Sequence, residues 1–433
     1  MSPMKRYANK QAKARKRRRL KAQERLKHQR VQAQHSIEAL HQALKDLDCP
    51  ETLVAEIEGR LQAQQKLLGK SVALMFPTLC GCCHGHALTR VRGWDKNVPS
   101  RLLNALPKRS WLKRLRRVGL EMLVSIWRHP QDNSASPHSR WPGRWIVDDA
   151  VFRTYGKPFG LVGTWDSGQF KRTVPGIDGV LLLVVLGDGT RIIPVDFAIR
   201  RPNPQGPGRR CQAKRSLTQR LLDERWAALA KRGVQLPAPM VVAESWFSDS
   251  TLMRHIANAH QGTLLVQGKR SYPFTLEDGR KGKGADLVKP DNWPWQQSLH
   301  APGCRSVRLR AWRPTDGQVL LVLVDKPGEK PLYLISMSLT IQGTRLMQAW
   351  NQRHWIEQMF RILQHLLAAE ACQARTEDAY YGHWVLRLMA GFVLFYTSRV
   401  LFKGHVTMEE IVFTLKHHWI TVDYEPFKLY GIA

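Results

Sequence analysis

Between residues 144 and 268 short apolar runs alternate with helical stretches, and two of those runs stop on a carboxylate. No other feature restricts the fold so much. Trp145, Ile146 and Val147 read as a buried strand that ends in Asp148 and Asp149, and a second strand is expected at about 160–165. Residues 179–186 and 191–199 are apolar runs joined by Gly187, Asp188 and Gly189, a hairpin signal. Within the second run Asp196 is expected to face out from the sheet. A Pro/Gly loop at 202–208 leads to helical periodicity over 217–232. Residues 239–242 form another buried strand, which ends in Glu244. A helix at about 250–259 and a strand at 263–267 follow. Strands and helices in this order predict a mixed α/β layer architecture.

Residues 269–336 shift to Gly, Pro, Lys and Trp, with strands suggested near 307–311, 319–324 and 332–335, and read as a β-rich insertion. Trp293 and Trp295 within it either stack on a base or pack the insertion. The chain is thereby delivered to residues 350–364, which read as one helix. Trp350, Arg353, Glu357 and Gln364 share one stripe of it. Ile356, Phe360, Leu363 and Leu367 make a second, apolar stripe suited to a core. The polar stripe is either a solvated face with an Arg353–Glu357 pair, worth a few tenths of a kcal/mol, or a surface that offers a ring, a guanidinium, a carboxylate and an amide to a ligand. A last helix is expected at about 379–401. Arg387 and Arg399 interrupt its apolar run, so it reads as buried and not as a membrane span.

The formal net charge of +32 on 433 residues, with a pI near 10.3, predicts salt-sensitive attraction to a polyanion, with nucleic acid the expected partner. Residues 1–30 form a basic flexible arm. Thirteen Lys or Arg stand between positions 5 and 30 against one acid, Glu24, and Arg15, Lys16, Arg17, Arg18 and Arg19 run together. Such a block contacts phosphates or solubilises a tail. Residues 31–130 are helical, a DNA-binding or dimerising module or a plain bundle. Their periodicity breaks at Asp48, Cys49 and Pro50 to give a helical hairpin. Basic and apolar residues alternate over 100–128, one face for a core and one for phosphates. A linker rich in Ser, Pro and Asn covers 131–143, and a C-terminal segment covers 403–433. Seven cysteines without a regular framework suit a reducing cytoplasm. Cys80, Cys82, Cys83, His84 and His86 are zinc ligands by chemistry but not by the usual spacing, and buried cysteines are the alternative.

Asp148 and Glu244 stand at the ends of buried strands, where ligands bind in α/β folds. Glu357 sits on a helix that must pack on the same sheet. Three carboxylates so converged repel one another unless a cation offsets them. Two Mg²⁺ about 3.5–4 Å apart would do so, with Mn²⁺ as an expected substitute. They would activate a water or a 3′-hydroxyl for in-line phosphoryl displacement.

Over roughly residues 144–400 the chain resembles the DDE transposases of bacterial insertion sequences. It is closest to the cut-and-paste group whose last catalytic helix carries Tyr-x2-Arg-x3-Glu-x6-Lys. The resemblance rests on Ile146–Ala150, similar to the family's Asp-Asp-Thr segment, on the residues around Glu244, and on Arg353 and Glu357. It implies a ribonuclease-H-like catalytic domain at 144–268 and 337–402, interrupted by the insertion. It also implies catalysis and metal binding by Asp148, Glu244 and Glu357. DNA contacts are implied for Trp350, Arg353 and Gln364, with the run from Arg15 to Arg19 supplying further affinity. The implied activity is Mg²⁺-dependent cleavage and strand transfer of double-stranded DNA at transposon ends. A homodimer on DNA, associated with a bacterial nucleoid in the cytoplasm and with no membrane, is implied as well. Two departures stand out. Glu244 replaces the family's usual Asp, with Asp249 a substitute five residues on, and Trp350 and Gln364 replace the signature Tyr and Lys. An impaired or repurposed DNA-binding relative is therefore the alternative. Trp246 reads as a core residue, with DNA contact as the other option, and Asp149 as an orienting or turn-capping neighbour of Asp148.

Overall fold

The computed structural model describes residues 103–104, 107–128 and most of 143–413, short loop stretches excepted. The basic arm, the helical hairpin, Cys80–His86 and the linker at 131–142 lie outside the described residues. The chain divides into two compact units, one of residues 83–392 and one that joins 1–82 to 393–433.

In the first unit α1 (Lys108–Arg128) precedes β1 (Arg144–Arg153), β2 (Gly163–Ser167), β3 (Arg172–Leu186) and β4 (Arg191–Arg200). Then come α2 (Lys214–Ala230), β5 (Met240–Ala243), a 3-10 turn (Ser245–Phe247), α3 (Ser250–His260) and β6 (Thr263–Gln267). The insertion supplies β7 (Pro273–Leu276), β8 (Lys281–Lys283), the short α4 (Gly284–Leu287), β9 (Gln296–Gln297), β10 (Arg305–Arg313), β11 (Gly317–Asp325) and β12 (Leu332–Ser336). Last are α5 (Gly343–Gln352), α6 (His354–Arg361), a π-helical turn (Ile362–Leu366) and α7 (Glu377–Tyr396), whose final residues enter the second unit.

The twelve strands among the described residues form one mixed sheet. Its main path runs β2-β3-β1-β5-β6-β12-β11-β10-β7-β8, with β4 on β3 and β9 on β10. β1 pairs antiparallel with β3 and parallel with β5, and β5 pairs parallel with β6. The inserted strands continue this sheet, because β12 pairs antiparallel with β6.

Strand alternation explains the layers, since successive side chains point to opposite faces. On one face Trp145 meets Trp226 of α2, with ring centroids 5.7 Å apart and edge to face. On the other face Phe152 lies 4.1 Å from Trp384 of α7 and 5.9 Å from Phe360 of α6. Phe197 of β4 stacks on Trp384 on that same side. Its neighbour Asp196 points the opposite way, toward α1 and α2. It is fully buried and not solvent-facing, because Arg116 and Arg225 reach it at 3.0 and 3.1 Å. α1 sits close on β4: a Cβ on Gly119 would lie 2.8 Å from the Pro194 carbonyl. The basic face expected of α1 is thus partly spent inside the protein, with Arg114 buried and Arg116 on Asp196.

Of the second unit, residues 393–413 are described. A π-helical turn (Thr397–Leu401) ends the long helix. The helical segment after it opens with a reciprocal cap: Thr407 N–H donates to Glu410, and Glu410 N–H donates to the Thr407 hydroxyl. Among the described residues one helix, Glu377–Leu401, is long and apolar enough to cross a membrane, and 78% of its most apolar window is buried.

Candidate active site

The parallel ladder between β1 and β5 ends at the pair Val147–Ala243. The next residue on each strand is acidic, Asp148 and Glu244, so register alone brings two carboxylates to adjacent chain positions. The expected strand end at Asp148 is corrected in one respect. β1 runs on to Arg153 against β3, and what stops at Asp148 is its pairing with β5. β5 itself stops because Glu244 opens the 3-10 turn. Alternation then separates the two aspartates. Asp148 shares the face of Ile146 and Phe152 and points toward α6. Asp149 points toward α2 and accepts a hydrogen bond from Lys214 Nζ at 2.5 Å.

The third carboxylate comes from α6. The helix expected over 350–364 is broken at Arg353, which lies between α5 and α6. The break is a tightened turn, in which Arg353 N–H donates to the Trp350 carbonyl and Ile356 N–H to the Arg353 carbonyl. Both stripes survive it. Ile356, Phe360, Leu363 and Leu367 are all buried, and Trp350, Arg353 and Glu357 meet on the polar side. The Arg353 guanidinium lies 4.9 Å from the Trp350 ring centroid. Its Nη1 donates to Glu244 Oε1 at 2.6 Å and approaches Asp148 Oδ2 at 3.5 Å, while Nη2 donates to Glu357 Oε1 at 2.5 Å. One cationic group thus touches carboxylates from β1, from the end of β5 and from α6. The resemblance implies a DNA contact for Arg353; here its guanidinium is turned inward and its side chain is 13% exposed.

Fully ionised, these four groups would carry a net charge of about −2. That deficit opposes ionisation of Asp148. Burial holds the Asp148 pKa well above the usual carboxylate range, and Glu244 and Asp149 push it further up. Arg353 and the Asp149 N–H act against that rise. Glu244 and Glu357 remain partly open to solvent. Three carboxylates around one cation position are hard oxygen donors of the kind that suits Mg²⁺ or Mn²⁺.

The centre opens into a cleft of about 1150 Å³. Lys171, Arg172, Lys214, Arg215 and Arg361 line its walls, and Gln364 lies in it near Glu357. Sequence reading misses one further acid of that cleft, Asp178 of β3, directly opposite Val151 of β1. Asp178 is buried, accepts from Arg200 at 2.9 Å through Oδ2, and leaves Oδ1 without a hydrogen-bond partner. Burial and then Asp149 raise its pKa to about 6, against Lys214 and Arg200. Trp246, expected in the core, is 62% exposed in the cleft, with Lys214 Nζ 5.3 Å and Lys269 Nζ 4.8 Å from its ring. Asp249 caps α3 by accepting from the N–H groups of Thr251 and Leu252, and it also pairs with Arg215. Those bonds engage it as a helix cap. Trp295 of the insertion lies under the Arg305 guanidinium at 4.7 Å.

No family model matches the chain, and no curated protein matches it.

Proposed function

We propose that the protein is a divalent-metal-dependent DNA transposase of the DDE kind. On this reading it binds inverted-repeat ends, hydrolyses phosphodiesters there and joins the 3′-hydroxyls to target DNA. The observation that carries the reading is the single guanidinium of Arg353 against Asp148, Glu244 and Glu357, three carboxylates from separate elements. Antiparallel β1, β3 and β4, continued by parallel β5 and β6 with helical crossovers, support a ribonuclease-H-like core.

Asp148, Glu244 and Glu357 would hold the Mg²⁺ ions. Bound there, such ions activate the attacking water or hydroxyl and stabilise the leaving oxygen. The chain's own groups do the rest. Arg353 balances the acids before metal enters and, once released from them, is placed to meet a phosphate. Lys171, Arg172, Arg215 and Arg361 give the cleft walls a charge that attracts the backbone of DNA without reading its sequence. Glu244 and its shorter neighbour Asp148 reach the same guanidinium nitrogen, at 2.6 and 3.5 Å.

The test is cleavage of a plasmid carrying the DNA that flanks the reading frame. With Mg²⁺, nicking at both ends followed by joining is expected. Asp148→Asn and Glu357→Gln should each lower it by at least about 10²–10³-fold, the cost of losing one transition-state contact. A wild type that binds the ends and cuts nothing in Mg²⁺ or Mn²⁺ would instead be a DNA-binding relative. Activity restored by Glu244→Asp would place the defect at that methylene.

A further inference from the structure

A second cluster of metal-type ligands lies away from the acids, between α2 and α3. Asp223 of α2 faces His255 and His260 of α3. Both imidazoles aim Nε2 at the same oxygen, Asp223 Oδ1, at 2.8 Å each, and the three ligand atoms all lie within 4.8 Å of one another. The rings are constrained around this point. Gln219, one turn before Asp223, bonds His255 Nδ1 through its carboxamide nitrogen at 3.1 Å. The Trp226 ring packs on His260 with centroids 4.3 Å apart. The three side chains are between 22% and 39% exposed, so one side of the cluster is open to water.

We propose that Asp223, His255 and His260 form a binding site for Zn²⁺ or a similar borderline transition-metal ion. Two imidazoles and one carboxylate are a ligand set for such an ion, with water in the fourth position. Mg²⁺, which prefers oxygen, is disfavoured here. The geometry also shows how the site would switch between its two forms. Without metal, each Nε2 carries the proton that bonds Asp223. With metal, each Nε2 lone pair turns to the ion and the ring proton moves to Nδ1. At His255 that proton then needs an acceptor, and a half-turn of the Gln219 amide presents its oxygen in place of its nitrogen. Gln219 is thus a positioning residue of the kind that orients a ligating histidine.

Such an ion would staple α2 to α3. The same helices meet at their starts through Arg215 and Asp249, beside Lys214 and just after Glu244. Metal would therefore fix the pair of helices that flanks the acidic centre, without itself entering the reaction.

The full chain is stripped with chelator and titrated with Zn²⁺ in millimolar Mg²⁺, which keeps the carboxylate centre filled. Cys80, Cys82 and Cys83 are replaced by Ser, so that the thiolates of that cluster cannot contribute. One equivalent of Zn²⁺ is expected, with a rise in thermal midpoint. Co²⁺ in its place should give a d–d spectrum with no thiolate charge-transfer band. His255→Ala and His260→Ala should each abolish uptake, and Gln219→Ala should weaken it about 10-fold or more, as outer-shell partners do. If the histidine variants do not fold, the Cys→Ser parent decides alone. A parent that takes up no zinc overturns the proposal. So does zinc that stays bound, with an unchanged spectrum, in folded histidine variants.

Discussion

Two buried aspartates in the same sheet are treated in opposite ways. Asp196 of β4 is one carboxylate served by two guanidiniums, Arg116 from α1 and Arg225 from α2, and it is closed off from solvent. Asp148 of β1 shares one guanidinium with two further carboxylates and lies at the wall of an open cleft. With Glu224, which pairs with both guanidiniums at 3.3 and 3.6 Å, the first arrangement is balanced and joins two helices to a strand. The second lacks positive charge and has room to accept it. Buried acids on strands can therefore be sorted by their charge balance and their access to solvent, and on the proposed reading only the second kind takes up a cation.

This contrast can be broken most forcefully at Asp196. Asp196→Ala leaves two largely buried guanidiniums with only the more exposed Glu224 between them, and removing one partner of a buried pair costs about 3–5 kcal/mol. Denaturant unfolding should show that loss, and it should be the same with and without Mg²⁺. The acidic centre should behave the other way. Arg353→Gln removes the cation shared by three carboxylates, so the metal-free protein should lose roughly 1–3 kcal/mol, the range for leaving a buried polar group unpaired. Mg²⁺ should raise the thermal midpoint of the variant more than that of the wild type, because no side chain then competes for the site. Equal shifts in both would mean that Arg353 is not a stand-in for metal.

Asp178 sharpens the comparison through pH. Its pKa is higher in the folded chain, at about 6, than its ordinary value of 3.8, so the folded form holds this proton more tightly. The stabilisation that follows is present below the ordinary value and is lost as pH rises through about 6. The wild type should therefore lose stability from this group between roughly pH 4 and pH 6. Asp178→Asn should flatten that part of the profile. The check is the difference between the two stability curves, which cancels groups common to both.

Much of this was legible in the sequence where the pattern is local. β6 was expected at its observed bounds, Thr263–Gln267, because five residues fit a buried strand with glycine on both sides. The apolar stripe of Ile356, Phe360, Leu363 and Leu367 was legible from helical spacing, and all four are buried. What failed depends on distant partners. The first half of β3, with Arg172, Thr173, Pro175 and Gly176, has no strand signature and is held by pairing with β2. Asp178 follows in the same strand, and its place beside the acidic centre is set by register with β1, which no local pattern encodes. Trp246 reads as core in the sequence because tryptophan buries a large area. The 3-10 turn after Glu244 instead sends it outward between two lysines. The turn that breaks the helix at Arg353 leaves the periodicity intact and so gave no signal.

Diffraction from crystals soaked in Mn²⁺, recorded at the manganese absorption edge, tests the central claim most directly. Anomalous density bounded by Asp148, Glu244 and Glu357, with the Arg353 guanidinium swung away from them, is the predicted result. An Arg353 that keeps all three contacts in saturating Mn²⁺, with no anomalous peak between the carboxylates, would contradict it.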